Sequence, residues 1–449
     1  MKKFRKYMVT AALAASLVGC QSFVADYDIS PNSALTAPLE LKMTSVFAMS
    51  GLVYAGELSR IANIWSGVFT GEDRQYVALN EYTTSSGDFD NGWTNIYSLI
   101  VTQARLTAAD AVKKKDPYTQ GKMQFMEGMM VGTTTSMWGN IPYSQSCDLV
   151  KFPNPKFDAQ ADVYAAVQNK LDSAITNLSK AGGTLGNRDI FFQGANDKWV
   201  AAAYTLKARF FLHTKNYQAA ITNAQKGIKA GGDMNFKFPG TTPGLDWNPY
   251  YDFLAFSRSG YMGISDSYAV ELLTSRGGKT DETGRLTYFF TDGSSLNINQ
   301  GGAYAKDATF PYVTFSENQL ILAEAQLRTG SASGALSALN SARANNVAAY
   351  QAYGSVKYSA YTTQDFSNNE ALLKEIMTEK YLSLAGQMEV FCDVRRAKKL
   401  SGSGMVLDIP VRRGDKLPQR FLIPQTEIVT NKSVPAKLPD LFEETPINK

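Results

Sequence analysis

Two stretches of the chain bring ring faces and hydrogen-bonding groups close enough together to hold a polyhydroxylated ligand. Residues 65–82 carry Trp65, Asp73, Arg74, Tyr76, Asn80 and Tyr82, and residues 246–258 carry Trp247, Asn248, Tyr250, Tyr251 and Arg258. A sugar ring offers an apolar C–H face and a polar rim, so an exposed aromatic face beside a few polar groups suits it. The candidate ligand-binding residues are therefore Trp65, Arg74, Tyr76, Trp247, Asn248, Tyr250, Tyr251 and Arg258. For every aromatic among them, packing in the core is the competing assignment.

Covalent chemistry finds little support. His213 is the single histidine, which excludes an HExxH motif or any other multi-histidine metal site within the chain. It shares an apolar helical stripe with Trp199, Ala203, Leu206 and Phe210, the setting of a packed structural residue rather than a triad base. Gly278-Lys279-Thr280 looks like the end of a phosphate-binding loop, but Leu273 occupies the position of its first glycine. A glycosidase needs only two carboxylates, and 41 acidic residues are present; the helical pattern described below argues against that class. No enzymatic activity, cofactor or metal ion is expected. The three cysteines, Cys20, Cys147 and Cys392, form neither a disulfide framework nor a metal-ligand spacing. Cys147 and Cys392 are expected to be buried free thiols.

Cys20 has a chemistry of its own. Residues 1–20 begin with Lys2, Lys3, Arg5 and Lys6, continue through an apolar run from Met8 to Val18, and end in Leu17-Val18-Gly19-Cys20. The run is too short to span a bilayer and fits a secretory signal peptide. Its end resembles a bacterial lipobox, in which the cysteine is acylated and becomes the first residue of the mature protein. The expected organisation is a signal peptide over 1–19, a lipidated tether over 20–37 and a body over 38–449, attached to the membrane by lipid and without a transmembrane helix.

Helical periodicity positions these residues. It predicts helices over 38–64, 93–112, 121–138, 158–181 (capped by Asp158), 197–213, 216–229, 315–328, 333–344 and 369–384. Several form antiparallel pairs with short turns, and the segment Asn216-Tyr217-Gln218-Ala219-Ala220-Ile221 resembles the second helix of a tetratricopeptide repeat. Pairs that cannot bury their faces alone stack into an array. The predicted fold is mostly α: a tetratricopeptide-like array of about four degenerate helix pairs. A large irregular capping insertion, about 231–311, is rich in Gly, Ser, Asp, Pro and Tyr. The 45 basic and 41 acidic residues give a net charge of +4, without the basic excess of a nucleic-acid binder.

An ordered set of phrases resembles the SusD/RagB family of outer-membrane nutrient-binding lipoproteins. The set runs through Asp28-Ile29-Ser30-Pro31-Asn32, Trp138-Gly139-Asn140-Ile141-Pro142-Tyr143, and Asp189-Ile190-Phe191-Phe192-Gln193-Gly194 followed by Lys198-Trp199 and Leu206-Lys207-Ala208-Arg209. It continues with Phe315-Ser316-Glu317, Leu322-Ala323-Glu324-Ala325, Glu379-Lys380, Gly386, Glu389 and Asp393-Val394-Arg395-Arg396, and closes with Arg420 to Glu427 and Asn431. Phe391 stands where tryptophan is common in the family, and no long aromatic run is present. The resemblance implies four tetratricopeptide-like pairs with a variable cap. It also implies a partner, a SusC-type TonB-dependent outer-membrane barrel, and import of oligosaccharides or, alternatively, oligopeptides at the cell surface. A tetratricopeptide-like envelope scaffold that binds only proteins is the third reading. Asp393, Arg395 and Arg396 are expected to belong to an ion-paired scaffold, the arginines pairing with carboxylates such as Glu317 or Glu324, and Glu324 with Arg328.

Overall fold

The computed structural model describes residues 37–180 and 188–449. The expected signal peptide, Cys20 and almost all of the tether lie outside the described residues. Within them the chain is mostly α-helical, with short two-residue to five-residue strands between helices.

Capping chemistry sets several helix starts. Asp116 accepts hydrogen bonds from the amides of Tyr118 and Thr119 and precedes Pro117, the first residue of the helix Pro117–Trp138. Asn216 caps Tyr217–Ala224, Thr314 caps Phe315–Arg328 and Asn368 caps Asn369–Ser383 in the same way. Asp158 does not cap. The helix beside it is Gln160–Leu178, and the Asp158 carboxylate instead accepts from the amides of Tyr143 and Ser144 at 3.0 and 2.7 Å, joining the strand Phe157–Asp158 to Ile141–Pro142.

The single helix expected over 38–64 is two, Leu39–Tyr54 and Glu57–Trp65. Gly56 sits at the break, where a Cβ would lie 2.2 Å from the Leu52 carbonyl oxygen. The helix expected from residue 93 starts at Asp90 and runs through a π-helical stretch, Asn95–Val101, into Thr102–Lys113. The segment 216–229 is helical only to Ala224, whereas Ala332–Tyr350 outruns its expected end.

Four helix pairs can be followed through the described residues: Pro117–Trp138 with Gln160–Leu178, Asn196–His213 with Tyr217–Ala224, Phe315–Arg328 with Ala332–Tyr350, and Asn369–Ser383 with Glu389–Arg396. Each pair also packs on a neighbouring pair, which makes an array. Glycines allow the close approach in its first half. A Cβ at Gly132 would meet the Phe210 ring at 2.3 Å, and one at Gly128 would meet Leu171 at 3.0 Å. Trp199 fills the centre, 5.0 Å from Phe125 and 5.5 Å from Phe47, and its indole N–H donates to the buried Asp189 at 2.7 Å.

Charges inside the array are paired, as desolvated charges must be. Arg396 grips Glu324 with two nitrogens and also contacts Asp393, which pairs with Lys380 at 3.0 Å; Arg328 reaches Glu324 at 2.9 Å. Two expectations change here. Glu317 pairs with Arg209, at 2.5 and 2.6 Å. Among the described residues Arg395 takes no carboxylate: it donates to the carbonyls of Phe391, Gln419 and Ser136.

The 231–311 insertion folds as a cap of short elements. A ribbon of Met234–Lys237 and Thr309–Val313 closes its base, and the helices Tyr268–Ser275 and Thr283–Phe289 lie within it.

Candidate functional site

Strand pairing brings the two candidate stretches together. Thr70–Gly71 pairs antiparallel with Met262–Gly263, and the Glu72 amide donates to the Tyr261 carbonyl at 2.8 Å. Four of the eight candidate residues then turn inward. Trp65 closes the helix Glu57–Trp65 on its inner side. It is fully buried, its indole N–H donates to the Leu79 carbonyl at 2.9 Å, and its ring packs 5.6 Å from Phe391 and 5.4 Å from Phe421. Asn248 is buried and caps the turn Pro249–Tyr251 by accepting from the Tyr250 amide at 2.9 Å. Tyr250 is buried too, with its hydroxyl donating to the Gly386 carbonyl at 2.8 Å. Tyr76 packs 4.7 Å from Phe253, and its hydroxyl accepts from Arg60 Nε at 2.9 Å. Burial pushes the Tyr76 phenol up, with Arg60 opposing, so it stays neutral. These four are parts of the frame, and none offers a free ring face to a ligand.

Arg74, Trp247, Tyr251 and Arg258 remain at or near the surface. A π-helical turn, Asp252–Ser257, follows Pro249–Tyr251, and the sequence pattern gave no sign of it. It carries Phe256, 68% exposed, into contact with Trp247. The Tyr251 and Phe256 rings meet Trp247 nearly perpendicular to it, at centroid distances of 5.1 and 6.0 Å. The Trp247 indole nitrogen is sealed from solvent and has no hydrogen-bond partner among the described residues. An unpaired buried donor is costly, and a bound acceptor would relieve it. Nearby, the guanidinium groups of Arg74 and Arg258 each stand 5.8 Å from the Tyr261 ring. Arg74 holds a left-handed backbone, φ 46°, stabilised by its amide donating to Asp73 at 2.9 Å.

A cleft of about 720 Å³ takes Leu254 from the same turn, while Trp247, Tyr251 and Phe256 are outside its lining. Gly260 and Met262 also line it, and Glu72, Asp266 and Arg412 supply charge along its walls. Asp266 pairs with Arg412 at 3.6 Å, and Glu72 accepts from the Ser265 amide at 3.1 Å. Ring faces beside carboxylates, serines and a guanidinium form a surface that can stack on an apolar ring face and hydrogen-bond to its rim. Phe256 and Tyr261 are candidate side chains that sequence reasoning missed. Phe256 lies inside the 246–258 stretch, and only its exposure distinguishes it from a core phenylalanine.

One other cluster has the composition of a metal site. His213, Glu389 and Cys392 place one ligand atom each within 4.8 Å of one another. Both imidazole nitrogens are engaged, Nε2 with Glu389 at 2.6 Å and Nδ1 with the Tyr164 hydroxyl at 3.0 Å. Burial and then the Glu389 charge push the Cys392 thiol up to about 12, and its sulfur contacts the Ser136 hydroxyl at 3.0 Å. The cluster is a closed hydrogen-bond network, and His213 is a packed structural residue within it. Among the described residues, Cys147 and Cys392 are free; Cys392 is buried, but Cys147 is only half-buried, contrary to expectation. Among the described residues, no helix is long and apolar enough to cross a membrane.

Two family models match the chain: one described as "Starch-binding associating with outer membrane" over residues 29–236, and one described as "SusD family" over residues 167–410. No curated protein sequence matches. Among solved structures, a SusD/RagB family protein from Bacteroides thetaiotaomicron superimposes with a TM-score of 0.68 at 21% identity, covering 89% of this chain and 95% of that one. A SusD homologue from Bacteroides uniformis gives a TM-score of 0.67 at 15% identity, covering 92% and 99%. A chitin-binding SusD homologue from Flavobacterium johnsoniae gives 0.63 at 16%, covering 88% and 93%. At these identities the likeness is one of fold.

Proposed function

The chain belongs to the SusD family, and from that membership and the site just described we propose that it is a cell-surface lipoprotein that captures oligosaccharides and performs no chemistry on them. The observation that carries this reading is the exposed Phe256 packed with the half-buried Trp247 and Tyr251 and their unpaired indole N–H, on the turn that also supplies Leu254 to a polar cleft. Stacking rings beside a hydrogen-bonding wall fit a glycan better than an extended peptide. Peptide capture draws most of its affinity from backbone pairing along a free strand edge, and the strands at this site are only two residues long, too short to pair with an extended peptide over several residues. Arg74 and Arg258, both exposed, border the patch and are assigned to the polar rim of the ligand.

In this reading Cys20 carries the lipid that holds the body at the outer membrane, over 38–449, with residues 20–37 as tether and 1–19 removed. The glycan is passed to a SusC-type TonB-dependent barrel over which the protein sits. Support for the membrane location comes from the lipobox-like end of the N-terminal run and from the outer-membrane description of the family.

The test is binding of the purified body to a panel of oligosaccharides, including chito- and malto-oligosaccharides, by calorimetry. Saturable binding that Trp247→Ala and Phe256→Ala both weaken supports the site. Saturable binding of peptides but of no glycan would replace oligosaccharide by oligopeptide. Purification of the full lipoprotein from its own membrane in mild detergent tests the partner: a co-purifying TonB-dependent barrel supports import. Absence of any barrel, under conditions where another membrane complex survives, favours an envelope scaffold.

A further inference from the structure

A second cleft, of about 320 Å³, opens between the Met234–Lys237/Thr309–Val313 ribbon and the end of the helix Ala332–Tyr350. None of its lining residues belongs to the first cleft. One wall is aromatic: Tyr288 lies 4.9 Å from Tyr353 and 5.5 Å from Tyr350 between ring centroids, with the planes inclined at 49° and 47°. The opposite side is polar, with Asp233, Asn235, Ser316 and Asn345.

Two groups in this cleft are unspent. Tyr304 lines it, is 3% exposed, and its hydroxyl has no hydrogen-bond partner among the described residues. Gly386, also in the lining, keeps the space beside that hydroxyl open, since a Cβ there would stand 3.5 Å from it. Asp233 accepts one hydrogen bond, from the Phe315 amide at 2.7 Å, and has no cationic partner among the described residues. Burial raises its carboxyl above the usual range. An unpaired carboxylate excludes an anionic ligand, and tyrosine faces with an orphan hydroxyl disfavour a purely apolar one. A ring bearing several hydroxyls satisfies every element: its C–H face on Tyr288 and Tyr353, its rim toward Asp233 and the Tyr304 hydroxyl.

We infer that this cleft is a second carbohydrate subsite, sized for a single neutral pyranose ring and separate from the Trp247 patch. The buried Tyr250 and Tyr304, 5.1 Å apart, belong to the aromatic layer that divides the two sites: Tyr304 faces the second cleft, while Tyr250 heads the turn that carries Phe256. The inference rests on the carbohydrate reading for its ligand class only. A protein with two such sites holds one long glycan at two points, or a free end and a chain at once, and gains affinity by linkage.

Saturation-transfer NMR on the whole body tests it. The probes are the methyl glycosides of glucose, galactose, mannose, xylose and N-acetylglucosamine, each at millimolar concentration. The expected result is that at least one glycoside still shows saturable transfer in the Trp247→Ala variant, in which the first site is disabled. Its affinity then falls about tenfold, near 1.4 kcal/mol, in Tyr353→Ala, and measurably in Tyr304→Phe, which removes only the orphan hydroxyl and leaves the ring packing intact. Binding unchanged in both tyrosine variants, or abolished by Trp247→Ala alone, overturns the second site and leaves the first standing. No transfer from the wild type to any glycoside overturns it as well. Oligosaccharide calorimetry on the same variants separates this failure from failure of the carbohydrate reading itself.

Discussion

Arg396 and Glu324, 72 residues apart, face each other through two hydrogen bonds of 3.0 and 2.8 Å with both side chains buried. This pair ties the last helix pair, Asn369–Ser383 with Glu389–Arg396, to the one before it, whose first helix carries Glu324 and whose Arg328 completes the grip. A bidentate guanidinium–carboxylate contact is directional, so it fixes the register of one pair on the next as well as joining them.

Breaking it leaves a buried charge uncompensated. Glu324→Gln is expected to lower unfolding stability by about 3 kcal/mol or more, read by urea denaturation followed by circular dichroism. The Asp408→Asn change, at an exposed ion pair with Lys374 (3.4 Å), is expected to move stability by less than about 0.5 kcal/mol. Equal losses in the two variants would remove the register role from the Arg396–Glu324 contact.

The interior carboxylates set an acid limit. At Glu379, burial alone would raise the carboxyl, but Arg285, Arg276 and Arg343 overcome it and hold it at about 2; at Glu389, His213, Arg209 and Lys380 do the same. Both groups have folded values below their unfolded ones, near ~4.3. Their contribution is therefore complete above the unfolded value and is lost as pH falls through the folded one. Thermal stability is expected to decline steeply between about pH 4.3 and pH 2. A melting temperature that stays flat across that window would show that these pairs do not stabilise the fold.

Gly132 is a steric test of the array. Gly132→Ala places a methyl carbon 2.3 Å from the buried Phe210 ring, which is packed on both helices and has little room to move. Overpacking of this kind costs about 1–3 kcal/mol. The double change Gly132→Ala with Phe210→Leu is expected to recover part of the loss. No loss in the single variant, by denaturant titration, would mean that the two helices are not held as close as described.

Trp65 and Trp247 are expected to separate stability from binding. Trp65→Ala empties a fully buried site and is expected to cost about 3–5 kcal/mol of stability. Trp247→Ala, at the surface, is expected to leave the melting temperature within a few degrees and to weaken glycan binding about tenfold, near 1.4 kcal/mol. Calorimetric titration alongside thermal melts reads both, and the opposite pattern would exchange the roles of the two tryptophans.

Much of the scaffold was legible because its information is local. Apolar spacing located Asn196–His213 and Phe315–Arg328 to within a residue, and the paired helices implied an array since neither partner can bury its face alone. The blocks around Trp138, Glu324, Asp393 and Arg420 carried the family in their order along the chain. The interruptions were harder to see. The break at Gly56 depends on a close approach of the Leu52 carbonyl that a Cβ would block, and π-helical turns leave no distinct period in a sequence.

The sequence by itself determined that two aromatic and polar stretches exist, that a helical-pair array must position them, and that His213 has no partner histidines for a metal. It could not determine which rings face water, because a tryptophan's exposure is a property of what packs against it. Phe391 and Phe421, more than 300 residues away, put Trp65 in the core, and a hydrogen bond to Gly386 does the same for Tyr250. Only the tertiary structure made those contacts, and by filling the interior with half of the candidates it left Trp247, Tyr251 and the unforeseen Phe256 packed together at or near the surface.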